Sequence, residues 1–140
     1  MRVLVFGSRS WTDEFMVGVV LQGFLFVAQA IGETLTVIDG KAPGADSLAG
    51  AWYGGAEDGV HATHEDVQHE RYAADWNRYG NAAGPIRNSR MVMEGHPNIA
   101  VGFVDGLLPD GRPNSPGSKN MYERLLKAGI RTYLIPRGRP

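Results

Sequence analysis

Glycine-containing turns carry most of the chemistry that this sequence offers. Gly7-Ser8-Arg9 and Gly44-Ala45-Asp46 each follow or lie close behind an apolar run, and Gly117-Ser118 opens a helix-like segment. A glycine lets the backbone approach a ligand closely, and the free amides at a helix N-terminus attract anions. Each turn taken alone would also fit a simple strand-to-helix connection, with Ser118 as a helix cap. The three turns together predict a site for a phosphate group, with Asp46 orienting a glycine turn or binding a ribose hydroxyl.

Two arginines and two tryptophans would complete such a site. Arg87 and Arg90 are three residues apart, so a helix presents them on one face. If that helix starts near Pro85, both cations lie where the helix dipole disfavours them, and an anionic ligand would remove the conflict. A solvated helix surface is the alternative for this pair. Trp11 and Trp76 fall in predicted loops at the ligand edge, where an indole can stack on a base.

The sequence gives little support for a metal site or for a nucleophilic serine or cysteine. Potential metal ligands are concentrated in one stretch, at His61, His64, Glu65, Asp66, His69 and Glu70. Their spacing does not fit the helical zinc motif, so we interpret them as a solvated polar loop and expect no metal and no resident cofactor. No histidine can be assigned to a serine nucleophile. The absence of cysteine excludes disulfides, thiolate metal sites and cysteine nucleophiles.

Length and charge narrow the class of protein. A chain of 140 residues fits one domain, and its formal net charge of −1 gives no global support for binding nucleic acid. Met1–Phe6 runs straight into Gly7 without the long apolar core of a signal peptide. Together with the lack of cysteine, this favours a cytoplasmic protein.

Apolar runs and helix-like segments alternate along the chain. We predict strands at Arg2–Phe6, Thr34–Ile38, the beginning of Val60–Val67, Ile99–Val104 and Arg131–Ile135, and helices at Asp13–Ile31, Ala45–Tyr53, Tyr79–Met93 and Ser118–Ala128. This alternation predicts an α/β fold, a single Rossmann-like domain over residues 1–140 with an open, mostly parallel sheet of about five strands and helices on both faces. The turns named above then gather at the carboxyl ends of the strands, where such sheets bind ligands.

The first helix is unusually apolar. Within Phe15–Ile31 the only strong polar interruptions are Gln22 and Gln29. The segment is short for a membrane span and both glutamines would be costly in lipid, so we predict a buried helix instead. A helix that is apolar all round must be covered on every side. We therefore expect a homo-oligomer with the helix of residues 13–31 in its interface.

The motifs as a set resemble the YspA-like branch of the SLOG superfamily, which joins LOG-type phosphoribohydrolases to the DNA-processing protein DprA. The resemblance covers nearly the whole chain in order, through Gly7-Ser8-Arg9-x-Trp11-x-Asp13, Gly44-Ala45-Asp46-x-x-Ala49-x-x-Trp52, Ala74-Asp75-Trp76 and Tyr79-Gly80-x-Ala82-Ala83-Gly84-Pro85-Ile86-Arg87-Asn88-x-x-Met91. It implies a Rossmann-like fold with a pocket for nucleotides or nucleotide-derived signals. It also implies a phage, stress or conflict context.

The resemblance also bears on catalysis. LOG-type enzymes carry an Arg-Lys pair and a Pro-Gly-Gly-x-Gly-Thr-x-x-Glu motif, whose glycines and threonine hold phosphate. Here Met91 follows Arg90 in place of the lysine, Gly117-Ser118 matches Gly-Thr, and Met121 stands where the glutamate would be. The phosphate cradle is thus retained without the carboxylate that glycoside cleavage normally uses. This favours binding or sensing of a nucleotide-like ligand over its turnover. A phosphoribohydrolase or N-glycosidase, and an oligomeric protein that inhibits a partner, remain the alternatives.

Overall fold

The computed structural model describes residues 1–54 and 59–137, with residues 59–64 described through their backbone alone. This part of the chain contains the strands β1 (Arg2–Gly7), β2 (Leu35–Asp39), β3 (Gly59–His64), β4 (Val67–Arg71), β5 (Ile99–Val104) and β6 (Arg131–Pro136). It also contains the helices α1 (Glu14–Ala30), α2 (Ala45–Ala51), α3 (Trp76–Tyr79), α4 (Ala83–Met93) and α5 (Pro116–Lys127). Short 3-10 turns follow α2 and α3.

The strands form one sheet in the order β3-β4-β2-β1-β5-β6. Five neighbouring strands of the sheet, β4, β2, β1, β5 and β6, run parallel. At one edge β3 pairs antiparallel with β4. The chain passes from β1 to β2 on one side and later returns to β5 on the other, so the strand order reverses between β1 and β5. The predicted Rossmann-like α/β fold with a mostly parallel sheet is confirmed.

Helices cover both faces of the sheet. α1 and α2 pack on one face through buried residues such as Leu21 and Ala49. α4 and α5 pack on the other, where Met91 and Leu125 meet Leu4 of β1. Because both faces are covered, a central strand such as β2 is buried along its whole length. The cores hold the carboxyl ends of β1 and β5 in fixed positions.

The sequence prediction for Val60–Val67 was wrong in its extent. The structure has two strands in this region, β3 and β4, joined by a turn at Glu65 and Asp66. The expected solvated loop is therefore wrong for His69 and Glu70, which lie in β4. The side chains of His61 and His64 lie outside the described residues.

Strand β4 was not predicted because polar side chains occupy buried positions where a strand usually has apolar ones. Its inward-facing residues are Val67, His69 and Arg71, all buried. The Nε2 atom of His69 lies 2.6 Å from the Trp52 carbonyl oxygen, and Arg71 forms a buried ion pair with Asp39. Buried polar side chains need such partners, and hydrophobic periodicity cannot reveal them.

Two helices begin at different residues than predicted. α4 starts at Ala83 rather than Tyr79, with Pro85 in its first turn as expected. α5 starts at Pro116, two residues before Ser118, because a proline at the first helical position loses no hydrogen bond there. The other predicted elements apart from the β3–β4 region agree with the structure to within two residues.

Helix α1 is buried on one side and exposed on the other. Asp13 caps its start by accepting a hydrogen bond from the Met16 amide at 3.0 Å. Leu21 and its buried neighbours face the sheet, whereas Phe15 and Phe26 are 80% and 72% exposed. Among the described residues only the sheet side of the helix is covered, and the expected homo-oligomer stays a prediction. Within the described residues, no helix has the length and apolarity required to cross a membrane.

Candidate functional site

A cavity of about 670 Å³ opens at the carboxyl ends of β1 and β5 and is flanked by α4 and α5. It lies where the strand order reverses, which is the usual ligand position in an open α/β sheet. Most of the residues singled out from the sequence line this cavity, namely Gly7, Ser8, Arg9, Asp46, Trp76, Arg87, Gly117 and Ser118. The structure therefore brings three of the predicted features, the β1 turn, the α5 start and Arg87, into one site.

The turn after β1 is fixed by packing and backbone hydrogen bonds. A Cβ atom on Gly7 would lie 2.1 Å from the carbonyl oxygen of Phe103 in β5, so only glycine fits there. The Ser8 hydroxyl accepts a hydrogen bond from the Asp105 amide at 2.8 Å. The Ser8 carbonyl accepts from the amides of Trp11 and Ala45. Ser8 is thus a structural tie between the ends of β1 and β5, and its hydroxyl proton remains available.

Gly44 and Ala45 do not line the cavity, contrary to prediction. Gly44 has a φ of 80°, and a Cβ atom there would lie 2.2 Å from the Ser8 carbonyl oxygen. Ala45 is fully buried in the core between the sheet and helices α1 and α2. The glycine turn before α2 therefore lets this helix pack closely on the β1 turn.

Asp46 is a buried carboxyl group at the cavity wall. It is 5% exposed, and its Oδ2 atom accepts a hydrogen bond from the Gly40 amide at 2.9 Å. Burial, together with the nearby charge of Asp39, raises the pKa of Asp46 to about 7. Asp46 thus holds the turn at Gly40, which was not among the glycine turns proposed from the sequence. Its charge changes near neutral pH, directly beside the cavity.

Arg87 reaches into the site from α4. Its Nη1 atom donates to the Gly40 carbonyl and its Nε atom donates to Asn88 Oδ1 at 3.1 Å. Nη2 has no hydrogen-bond partner in the described part of the chain. Burial lowers the pKa of Arg87, which the charge of Asp46 opposes and the charge of Arg9 reinforces. Two cations thus repel each other at one cavity, and an anion bound between them would be stabilised.

Arg90 is not part of the site. It lies in the last turn of α4, half exposed, where it pairs with Glu94 at 2.7 Å and its guanidinium lies 5.4 Å from the centre of the Tyr72 ring. The prediction that Arg87 and Arg90 act together was wrong. Glu94 already neutralises the second cation, which lies far from the N-terminus of the helix.

The start of α5 presents unpartnered donors to the cavity. The Ser115 side chain does not cap the helix, and the amides of Gly117 and Ser118 belong to its first turn, which lacks acceptors within a helix. A Cβ atom on Gly117 would meet no atom within 4 Å. Ser118 is only 4% exposed, and its hydroxyl has no partner among the described residues. These groups are arranged as an anion site would require.

The two tryptophans proposed as base-stacking residues differ in position. Trp76 is 49% exposed and lines the cavity, with the Arg9 guanidinium 5.7 Å from its ring centre. Trp11 is 3% exposed, and its ring centre lies 5.4 Å from that of Phe103. Its Nε1 atom donates to the Asp13 carbonyl. The assignment of Trp11 to the ligand is therefore corrected, because this indole is part of the core.

Three asparagines at the cavity were not proposed from the sequence. Asn81, Asn88 and Asn120 line it, and Asn88 Nδ2 donates to Asn120 Oδ1 at 3.1 Å. This bond links α4 to α5 behind the site. Asn88 is 6% exposed, and an uncharged amide inside a helix gives no sequence signal except its place beside Arg87.

Met121 also borders the cavity, at the position where the resemblance placed a catalytic glutamate. It is 1% exposed and packs beside Phe6 and Leu125 in the core between the sheet and helices α4 and α5. The carboxyl groups that line the cavity are Asp46 and Asp105. Asp105 already accepts a hydrogen bond from Ser10 and pairs with Arg137 at 2.8 Å.

Comparison with known proteins gives one curated relative. The chain is 35% identical to the Gene 61 protein of Mycobacterium phage D29 over 130 residues, which cover 92% of this chain and 91% of that protein. No family model matches the sequence. No solved structure matches it either.

Proposed function

The chain belongs to the same family as the Gene 61 protein of Mycobacterium phage D29, and from the chemistry of its own cavity we propose that it binds a phosphate-bearing, nucleotide-like small molecule. The observation that carries the proposal is the Ser118 hydroxyl at the cavity wall. It lines the cavity without a partner in the described part of the chain, next to first-turn amides of α5. This hydroxyl can donate a hydrogen bond to an acceptor that is bound in the cavity. A phosphate oxygen would supply that acceptor.

The arginines support an anion at the same end of the cavity. Arg9 makes no hydrogen bond within the described residues, and the Nη2 atom of Arg87 is likewise unpartnered there. Charge-assisted hydrogen bonds from guanidinium groups to phosphate are about twice as strong as neutral ones. A bound phosphate would also relieve the repulsion between the two cations.

Trp76 supports the nucleotide-like part of the proposal. Its half-exposed indole lies over Gly84, where a Cβ atom would come within 3.4 Å of the ring. The exposed part of the Trp76 ring, beside the Arg9 guanidinium, is a surface on which a base can stack. A cavity of about 670 Å³ is within the range of small-molecule sites. The resemblance to the SLOG superfamily agrees with this ligand class, and we extend the proposal to membership in it.

Hydrolysis of the nucleotide is the alternative that has one structural feature in its favour. Asp46 is a cavity-lining carboxyl whose pKa near 7 suits a general acid. Against this, Met121 occupies the position of the enzymes' glutamate. Incubation with nucleoside monophosphates, NAD and ADP-ribose would release free base if the chain were a hydrolase, and Asp46→Asn would stop that release. We expect no release from the wild-type chain.

Binding is tested by thermal unfolding with a panel of nucleoside mono- and diphosphates, cyclic nucleotides, ADP-ribose and inorganic phosphate. A ligand at 100 times its Kd stabilises the folded state by about 2.7 kcal/mol. We expect at least one nucleotide to raise Tm more than inorganic phosphate at equal concentration. If none of these compounds shifts Tm, and native mass spectrometry finds no co-purified nucleotide, the proposal is wrong.

A matched pair of variants locates the bound anion. Arg9→Ala removes an exposed guanidinium that lines the cavity, and Arg90→Ala removes one that does not. A lost hydrogen bond to a charged group costs about 1.5–3 kcal/mol, so Arg9→Ala should raise Kd by about tenfold or more. Arg90→Ala should leave Kd unchanged. Calorimetric titration with the best ligand of the panel measures both, and the opposite pattern would move the ligand out of this cavity.

A further inference from the structure

The outer face of α1 is an apolar surface that no other described residue covers. Phe15 and Phe26 are 80% and 72% exposed, and Val19, Val27 and Ile31 are each about half exposed. These residues, which we call the α1 face, recur at helical spacing and form one stripe along the helix. Gln22 stands at its margin and accepts a hydrogen bond from the Tyr53 hydroxyl at 3.5 Å.

The α1 face contains no charge. From Phe15 to Ile31 the sequence has no Asp, Glu, Lys or Arg. A membrane-surface helix would carry cations along its polar margin, and a charged partner would need complementary groups here. Neither requirement is met. Interfaces between identical subunits are the apolar class that such a face fits.

The extent of the α1 face suits a dimer of standard size. Aromatic side chains bury roughly 150–250 Å² each, so the two phenylalanines and their aliphatic neighbours expose on the order of 600 Å² per chain. That value is at the upper end of the patches of about 300–600 Å² on ordinary monomers. With its margin it approaches the ~800 Å² that each partner contributes to a specific interface.

We propose that two copies of this chain associate through the α1 face, with the two helices antiparallel and the two-fold axis near Gly23. Gly23 lies near the middle of the exposed stripe, and a Cβ atom there would meet no atom within 4 Å. This leaves room for close approach of the helices at their crossing point. A two-fold axis at this position sets Val19 against the partner's Val27 and Phe15 near the partner's Ile31, so each face covers the other. The proposal does not depend on the ligand of the cavity.

Sedimentation and light scattering of the full chain over a dilution series test this proposal. We expect twice the mass of one chain, falling to the single mass on dilution. Phe26→Lys should raise the dimer Kd by at least about a hundredfold, because the two-fold axis repeats the loss in both chains. Phe26 is largely exposed in the single chain, so the variant keeps its fold, which circular dichroism verifies. Met93→Lys is the matched control, since Met93 is 68% exposed on α4.

Three results would overturn the α1 dimer. A wild-type chain that stays monomeric at the highest attainable concentration is one, and a dimer unchanged by Phe26→Lys is the second. The third is a monomer that binds neutral phospholipid vesicles through the same residues, which would assign the face to a lipid surface.

A cross-linking pair tests the antiparallel arrangement separately. The chain has no cysteine, so Gly23→Cys should form a disulfide between subunits on oxidation if the axis passes there, since such a bond needs Cα atoms within about 7 Å. Phe15→Cys should not, because its counterpart lies at the far end of the partner helix. Equal cross-linking of both variants would indicate parallel helices and overturn the arrangement.

Discussion

The glycine turn after β1 and the glycine at the start of α5 differ in what occupies the space beside the missing side chain. At Gly7 that space is filled by the Phe103 carbonyl oxygen and the Ala45 Cβ atom, 2.1 and 2.8 Å from a hypothetical Cβ. At Gly117 no atom lies within 4 Å. The first glycine is therefore required by packing, whereas the second leaves open space at the cavity wall that a ligand can approach. A glycine at a strand end indicates a phosphate site only where the chain itself does not fill that space.

The largest effect expected from this comparison is the loss of stability in Gly7→Ala. The added methyl group collides with backbone and with a helix that is itself fixed, and overpacking of this kind costs about 3 kcal/mol. Urea unfolding should show the midpoint displaced, with the slope unchanged. A fully stable Gly7→Ala chain would mean that the β1 turn is not locked as described.

Gly18→Ala is the matched control for that variant. Gly18 lies within α1 and has no atom within 4 Å of a Cβ position. Alanine is favoured over glycine inside a helix by about 0.5–1 kcal/mol. The control should therefore be as stable as the wild-type chain or slightly more stable.

The free energy of unfolding should also depend on pH, through the buried carboxyl group of Asp46. Its folded pKa of about 7 lies above the ordinary value of 3.8, so between these values the folded chain binds more protons than the unfolded one. The free energy of unfolding must then fall as pH rises through this window. The pKa of Asp39 is raised as well, chiefly by burial, which acts in the same direction.

Asp46→Asn should flatten this pH dependence. The amide oxygen can still accept a hydrogen bond from the Gly40 amide, and no charge develops on it. From about pH 5 to pH 8 the free energy of unfolding of the variant should therefore rise by about 2 kcal/mol relative to that of the wild type. Urea midpoints at both pH values measure the difference. Asp110→Asn is the control. The hydrogen bond from the Arg112 amide lowers the pKa of this exposed carboxyl group, so its replacement should leave the pH dependence in this range unchanged. An unchanged slope for Asp46→Asn would mean that the carboxyl is charged throughout.

Much of the fold was predictable because most of the parallel strands are continuous apolar runs that end at glycine or aspartate. The rule that ligands lie at strand ends singled out Gly7, Arg87 and Gly117, which the structure places around one cavity. The failures have physical causes. Burial of a loop residue depends on distant packing, so Trp11 appeared available when Phe103 covers it. The role of Arg90 was misjudged although α4 begins near Pro85 as assumed, because Arg90 lies in the last turn of this helix and pairs with Glu94.

We expect Gly117→Ala to have the smallest effect on stability. Its clearest effect should be on ligand affinity. Because the added methyl group meets no protein atom and alanine favours the helix, the variant should be more stable by up to about 0.5–1 kcal/mol. The same methyl group stands where a phosphate would approach the amides of α5, so Kd for the best nucleotide should rise by about tenfold. Ser118→Ala is the companion variant, since it removes only the unpartnered hydroxyl. At a ligand site the substitution should raise stability and lower affinity. At a packing site it should lower both, as we expect for Gly7→Ala. Unchanged affinity in both α5 variants would show that the start of this helix is a structural turn like the one after β1.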